Sequence, residues 1–163
     1  MLLADREEGG RRLGRALKSL PLVRPVVLAI PRGGGVTGAA LANEIGAELD
    51  VVLARKLRAP RQPEFAIGAL GEDGEVFVDH RSAASVGADD VYIERERQYQ
   101  TREIERRRSR IREVRPRANL QGRSVILTDD GLATGATMKA ALHVVRAAQP
   151  HEVILAVPVA SPD

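Results

Sequence analysis

The chain has 163 residues, of which 44% are hydrophobic and none is cysteine. This length predicts one domain over residues 1–163 with one core of ordinary size, and the lack of cysteine excludes disulfides and thiolate metal sites. The formal net charge of +3 suits phosphorylated ligands and nucleic acid alike. No basic-then-apolar leader and no run of ~20 apolar residues is present, so we expect a soluble cytoplasmic protein without membrane contact.

Apolar spacing predicts alternating helices and strands along the first third of the chain. The expected elements are a helix over residues 5–20, a buried strand over 25–30, a helix over 36–45 and a strand over 50–54. Arg55 and Lys56 would then lie at the carboxyl end of the second strand.

The periodicity fades over residues 57–87, although residues 75–79 alternate well enough for a short antiparallel strand or hairpin arm. A long polar helix is predicted over residues 89–114. Its arginines and interspersed acids favour a solvated surface laced by charge pairs, with a homodimer contact and RNA binding as alternatives. Nucleic-acid binding gains little here, because Tyr92 and Tyr99 are the only nearby aromatic residues.

Residues 125–127 predict a buried strand, a helix starts near Gly135, and residues 152–157 form a last strand. This order predicts an α/β fold with an open, mainly parallel sheet, right-handed crossovers and flanking helices. Such sheets bind ligands outside the carboxyl ends of their strands, and each unusual loop of the sequence follows a predicted strand.

The strand at 125–127 runs into two acids, Asp129 and Asp130, and then into a turn of small residues. The turn offers backbone N–H groups, hydroxyls and the start of a helix, which together suit a phosphate. The two carboxylates suit the vicinal hydroxyls of a sugar, directly or through a divalent cation. The stretch therefore indicates a ribose 5-phosphate site, against the alternative of an acidic strand end followed by a helix that Thr134 caps.

This stretch resembles the phosphoribosyl diphosphate (PRPP) motif of the type I phosphoribosyltransferases. The resemblance implies that Asp129 and Asp130 hold the ribose hydroxyls and Mg²⁺, and that a loop holds the 5-phosphate. The loop residues are Ala133, Thr134, Gly135, Ala136 and Thr137. The chain is similar over nearly its whole length to a group of bacterial phosphoribosyltransferases without an assigned substrate, in which residues 57–118 would form an inserted hairpin and a long helix as a hood.

The second loop begins at Pro31 and continues through Arg32, Gly33 and Gly34. Glycine lets such a backbone wrap an anion, although a glycine-rich strand-to-helix turn would look the same. The loop resembles the diphosphate loop of the family, which implies a cis peptide near Arg32-Gly33.

The same resemblance implies a mobile catalytic loop over residues 57–68 that closes over the substrate. Arg55 and Lys56 would neutralise the departing diphosphate together with Arg32. Arg58 and Arg61 would either reach the diphosphate on closure or stay exposed to solvent. Glu64 is a candidate acid or base, with an exposed loop residue as the favoured alternative.

The implied reaction transfers phosphoribose from PRPP to a small, nitrogenous acceptor and releases diphosphate. Ala133 occupies the position at which 6-oxopurine transferases carry an acid, which argues against hypoxanthine or guanine. Members of the family usually continue past the last strand, and the resemblance implies that such a further segment holds either part of the acceptor pocket or a further strand. The alternative function is a PRPP or nucleotide sensor that acts on RNA or on a protein partner.

Overall fold

The computed structural model describes residues 4–162. Its elements in chain order are α1 (Arg6–Leu17), β1 (Val26–Ala29), α2 (Gly34–Ile45), β2 (Glu48–Val51), β3 (Ala54–Ala59), β4 (Gln62–Gly71), β5 (Val76–Val78), α3 (His80–Ser85), α4 (Asp90–Val114), β6 (Ser124–Thr128), α5 (Ala136–Ala147) and β7 (Glu152–Ala156). Along the described residues, no helix is both long and apolar enough to cross a membrane.

The chain divides into two compact units. Unit 1 comprises Met1–Val52, Arg117–Gly135 and Ala148–Asp163, and unit 2 comprises Leu53–Pro116 and Ala136–Ala147. The start of unit 2 lies close to the predicted start of the insertion at residue 57. The assignment of residues 1–163 to a single domain stays a prediction.

Unit 1 is built on a four-stranded parallel sheet of order β2-β1-β6-β7. The central strands β1 and β6 are buried along their whole length, as their continuous aliphatic sequence predicts. Val27, Leu41 and Ile126 are fully buried at the centre of the core, against which the apolar residues of α1 pack. The prediction of a parallel α/β sheet with flanking helices is confirmed.

Helix α1 contacts α2 at unusually short range. A Cβ atom at Gly10 would lie 2.2 Å from the carbonyl oxygen of Thr37, and one at Gly14 would lie 2.5 Å from the Cβ of Glu44. Asp5 caps the helix by accepting a hydrogen bond from the Glu8 N–H at 2.7 Å. The glycines and the cap together fix where the first turn of α1 lies on α2.

Unit 2 contains the antiparallel sheet β3-β4-β5, the polar helix α4, the short helix α3 and α5. Glu96 and Gln100 are buried on α4, where Glu96 accepts hydrogen bonds from Arg58 and Gln100. A second ion pair, between Arg112 and Glu72, is almost fully buried. These pairs attach the polar helix to the small sheet.

Two sequence predictions in this region are wrong. The second parallel strand, β2, ends at Val51. Arg55 and Lys56 therefore do not lie at the carboxyl end of β2, and belong instead to the antiparallel strand β3. Residues 57–68, predicted as a loop, belong mostly to strands β3 and β4, while the closure of this segment over a substrate stays a prediction. The physical reason is pairing between strands: Lys56 lies opposite Ala69, and this pairing orders a segment whose polar composition hides its strand pattern.

Candidate functional site

The loops that follow β1 and β6 lie side by side at the carboxyl edge of the parallel sheet. Ala29 is in register with Thr128, and the Ile30 N–H donates to the Thr128 carbonyl oxygen at 2.9 Å. The two strands therefore deliver Pro31–Gly34 and the Asp129–Asp130 pair to one place in unit 1. Ligands of open parallel sheets bind outside the carboxyl ends of the strands, and both loops lie there.

The carboxylate of Asp130 lies against the bare Cα of Gly33. A Cβ at Gly33 would lie 2.2 Å from Oδ2 and 2.5 Å from Cγ of Asp130. The backbone of Gly33 is right-handed helical, with φ −59° and ψ −39°, so glycine is needed here for space and not for a special dihedral angle. The cis peptide lies at Pro31-Arg32, one bond before the predicted Arg32-Gly33.

The acid pair concentrates negative charge at this edge. Burial raises the pKa of Asp129, and the adjacent charge of Asp130 adds to that rise, while the hydrogen bond from the Asp130 N–H opposes it. Arg6, at the start of α1, donates from Nε to Asp130 Oδ2 at 2.7 Å. No local pattern in the sequence indicates this arginine, because 124 residues separate the partners.

The segment after the acids is hydrogen-bonded to the chain that follows β7. The Leu132 N–H donates to the Val159 carbonyl oxygen at 3.0 Å, and the Ser161 N–H donates to the Leu132 carbonyl oxygen at 2.8 Å. Ala133 and Thr134 are exposed, and Gly135 adopts a left-handed conformation with φ +75° directly before α5 begins. The turn of unit 1 therefore leaves Ala133 and Thr134 accessible to a ligand.

A cavity of about 490 Å³ adjoins the acid pair within unit 1. Its lining residues are Asp130, Gly131, Leu132, Ala133, Val159, Ala160 and Ser161. The walls are largely apolar, with Asp130 as the charged group. The acid pair therefore lies beside a space with mainly apolar walls.

Two of the predicted cations of unit 2, Arg55 and Arg58, are bound to other side chains. Arg55 donates to Gln100 at 2.8 Å, and burial followed by the charge of Arg107 lowers the pKa of Arg55. Arg58 is bound by the buried Glu96 and lies over the ring of Tyr99 at 4.8 Å from its centroid.

The remaining predicted residues of this segment are more accessible. Lys56 lies 3.5 Å from Glu64, whose side chain is 90% exposed. Arg61 is exposed in the turn between β3 and β4, with φ +60°. Arg58 is bound to Glu96 and so is not simply exposed to solvent. Glu64 is exposed, as the favoured alternative predicted, whereas the exposure of Arg61 is compatible with both of its alternatives.

The donor chemistry at Asp129 and Asp130 fits a hard divalent cation. Mg²⁺ commonly binds through one or two carboxylates and completes its coordination with water and substrate phosphates. Within residues 4–162 no cluster of three or more histidine or acidic side chains forms a metal cage. A cation at this pair would complete its coordination with oxygen atoms from water or from a bound substrate.

Comparison with known proteins identifies the family. A model of the phosphoribosyl transferase domain matches residues 13–163. The chain belongs to the phosphoribosyl transferase domain family. The resemblance inferred from residues 125–138 is thereby confirmed.

The relatives in this family differ in length from the chain. It is 41% identical over 162 residues to a Mycobacterium tuberculosis (strain H37Rv) protein provisionally named phosphoribosyl transferase Rv0571c. The match covers 99% of the chain and 37% of that relative, so the chain spans just over a third of the length of the curated relatives it matches.

Solved structures of this family share the fold. TT1426 from Thermus thermophilus is 49% identical, with a TM-score of 0.93 over 99% of this chain and 77% of its own. A purine phosphoribosyltransferase from Pyrococcus horikoshii is 14% identical, with a TM-score of 0.56 over 99% of this chain and 76% of its own. At that identity the second likeness concerns the fold alone.

Proposed function

We propose that this chain binds PRPP and transfers its phosphoribosyl group to a small nitrogenous acceptor, with release of diphosphate. The observation that carries the proposal is the contact of the Asp130 carboxylate with the bare Cα of Gly33. It brings the two loops that the family uses for ribose and for diphosphate to one edge of the sheet. Family membership supports this interpretation of the geometry.

The ribose and its 5-phosphate would be bound by opposite kinds of group. The carboxylates of Asp129 and Asp130 accept hydrogen bonds from the ribose hydroxyls. The exposed turn from Ala133 to Gly135 would provide N–H groups for the phosphate, and the roles of Ala136 and Thr137 stay predictions.

Departure of diphosphate breaks the bond between C1 of the ribose and the diphosphate oxygen, and a bond from the acceptor nitrogen to C1 replaces it. Negative charge then builds on the departing oxygens. Mg²⁺ held by Asp129 and Asp130 together with PRPP oxygens would stabilise that charge when bound. Arg32 and the N–H groups of its loop would stabilise it further, each preorganised donor lowering the barrier by about 2 to 4 kcal/mol.

The roles of Arg55, Lys56, Arg58, Arg61 and Glu64 stay predictions. Arg61 has the exposure that a diphosphate contact requires. Arg58 would have to exchange Glu96 for the substrate, which makes it the weaker candidate. Single alanine variants at both positions separate these expectations, since only a diphosphate ligand should alter turnover without altering the melting temperature.

The acceptor would occupy the cavity of about 490 Å³ beside Asp130. Its walls at Leu132, Ala133 and Val159 suit an apolar ring face. Ala133 leaves no carboxylate there to accept from a ring N–H, which supports an acceptor other than a 6-oxopurine. Turnover measured with a panel of nitrogenous rings, 6-oxopurines included, would show which of them is the acceptor.

The charge pairs of α4 argue against the alternative of a sensor that acts on RNA. Arg97, Arg106 and Arg108 each form an i,i+3 ion pair with a glutamate of the same helix. Positive charge compensated in this way attracts phosphate backbones less than a free basic face would. These pairs support the interpretation of α4 as a solvated surface.

The experiment that tests the proposal is a calorimetric titration of PRPP with Mg²⁺, followed by assay of diphosphate release across an acceptor panel. We expect saturable binding that Asp130→Asn and Arg32→Ala both weaken at least tenfold. Asp90→Asn, an exposed acid in the first turn of α4, is the matched control and should bind as the wild type does. Unchanged PRPP binding and turnover in both site variants would refute the assignment.

A further inference from the structure

An arginine far away in sequence contacts the ribose-binding acids. Arg6 Nε lies 2.7 Å from Asp130 Oδ2, within unit 1. Neither the sequence motifs nor the resemblance assigned a role to this residue. The contact is notable because it engages the same carboxylate that Gly33 accommodates.

The position of Arg6 is built into the packing of two helices. Asp5 caps α1, and the Thr37 hydroxyl of α2 donates to the Arg6 carbonyl oxygen at 3.4 Å. Four residues further along, Gly10 brings the backbone of α1 against the Thr37 carbonyl oxygen. Since α2 begins at the end of the Gly33 loop, the same helix that carries the loop also places Arg6 over Asp130.

The contact has little value as a stabilising ion pair. The Arg6 side chain is 62% exposed and that of Asp130 is 31% exposed, and exposed pairs of this kind contribute little to folding. It does, however, restrain a side chain. Asp130 Oδ2 is held between a guanidinium donor and the surface of Gly33, while Arg6 offsets the repulsion between Asp130 and Asp129.

We propose that Arg6 is a positioning residue of the ribose site, which holds the Asp130 carboxylate in the orientation that accepts a ribose hydroxyl. The inference rests on the proposed function, because it assigns Asp130 to the ribose. It concerns the sugar and not the phosphate, and this distinction makes it testable. Loss of Arg6 should weaken ligands that carry the ribose ring and leave inorganic phosphate unaffected.

The test compares Arg6→Ala, Arg6→Lys and the control Arg11→Ala by calorimetry with PRPP, ribose 5-phosphate and inorganic phosphate, each with Mg²⁺. Arg11 lies on the same helix and pairs with Glu7, so it matches the charge change without touching the acids. We expect Arg6→Ala to lose about tenfold in affinity for both ribose ligands and less than twofold for phosphate. Arg6→Lys should lie between Arg6→Ala and the wild type, because it keeps the charge and loses the planar donor.

Four results overturn the inference: affinity of Arg6→Ala for the ribose ligands within twofold of the wild type, tighter binding by Arg6→Ala, an equal loss for phosphate, or an equal loss in Arg11→Ala. Tighter binding would show that Arg6 competes with the substrate. Arg11→Ala should match the wild type throughout, and an equal loss in that variant would show a general charge effect. A wild type that binds no PRPP would refute the proposed function itself, whereas normal wild-type binding with an unaffected Arg6→Ala refutes only the role of Arg6.

Discussion

The glycine at position 33 gives a sharp test of the site, because its replacement by alanine perturbs one side chain. The new Cβ would lie 2.2 Å from Oδ2, 2.5 Å from Cγ and 2.8 Å from Oδ1 of Asp130. Non-bonded heavy atoms are comfortable at about 3.5 Å, so the carboxylate must move by on the order of 1 Å. The backbone of Gly33 suits alanine, so the loop itself need not change.

Gly33→Ala should lower the affinity for PRPP and leave the free energy of unfolding nearly unchanged. A displaced Asp130 would lose the hydrogen bond that we propose it accepts from the ribose, and such a bond to a charged group is worth about 1.5 to 3 kcal/mol. At about 1.4 kcal/mol for each factor of ten, the affinity for PRPP should fall by roughly 10- to 100-fold. The free energy of unfolding should change by no more than about 1 kcal/mol, because the clash involves the end of a side chain.

Calorimetry with PRPP and Mg²⁺ measures the first quantity and urea unfolding the second. Gly35→Ala is the matched control, since a Cβ at that position meets nothing within 4 Å. It should bind PRPP as the wild type does and gain slightly in stability from the better helix former. Wild-type affinity in Gly33→Ala, or an equal loss in Gly35→Ala, would refute the argument.

Two further predictions concern packing and buried charge. Gly10→Ala places a Cβ 2.2 Å from the Thr37 carbonyl oxygen, which cannot rotate away. The free energy of unfolding, measured in urea, should therefore fall by about 1 to 3 kcal/mol. An unchanged midpoint of unfolding would contradict the close contact between the helices. Glu96→Gln removes the charged acceptor of Arg58 and should cost about 1 to 3 kcal/mol at pH 7. Glu94→Gln, on the exposed face of the same helix, is the control and should cost less. Burial alone would raise the pKa of Glu96, but hydrogen bonds, chiefly from Arg58, hold that pKa below its ordinary value of 4.5. The stability that the charged form contributes is therefore present above pH 4.5 and is lost as the pH falls through the lowered pKa, and a Glu96→Gln difference that persists in acid would contradict this.

The sequence predicted the parts of the site that depend on local pattern. The strand before Asp129, the small-residue turn and the following helix are all read from neighbouring residues, and the parallel sheet places the second loop beside them. Strand β3 was missed because Arg55, Lys56 and Arg58 dominate its composition. Leu57 and Ala59 alternate with these cations and are almost fully buried. This alternation was the sequence pattern that could have predicted the strand.

The contacts of Arg6 and Glu96 could not be predicted in the same way. Arg6 meets Asp130 across most of the chain, and the buried Glu96 lies in a helix whose charge pattern indicates a solvated surface. Both depend on which elements pack together, which single-sequence periodicity does not specify. The tertiary fold therefore determines these partners.

The order of strands in the parallel sheet also bears on how the chain is made. Strand β1 lies between β2 and β6, and Val26 is in register with Val125. At roughly 5 to 20 residues per second, synthesis of the ~100 intervening residues takes on the order of 5 to 20 seconds. During that interval an apolar strand edge has no partner, which is the condition under which nascent chains aggregate or recruit chaperones. A messenger cut short before the codons of β6 would yield a product that keeps this edge exposed.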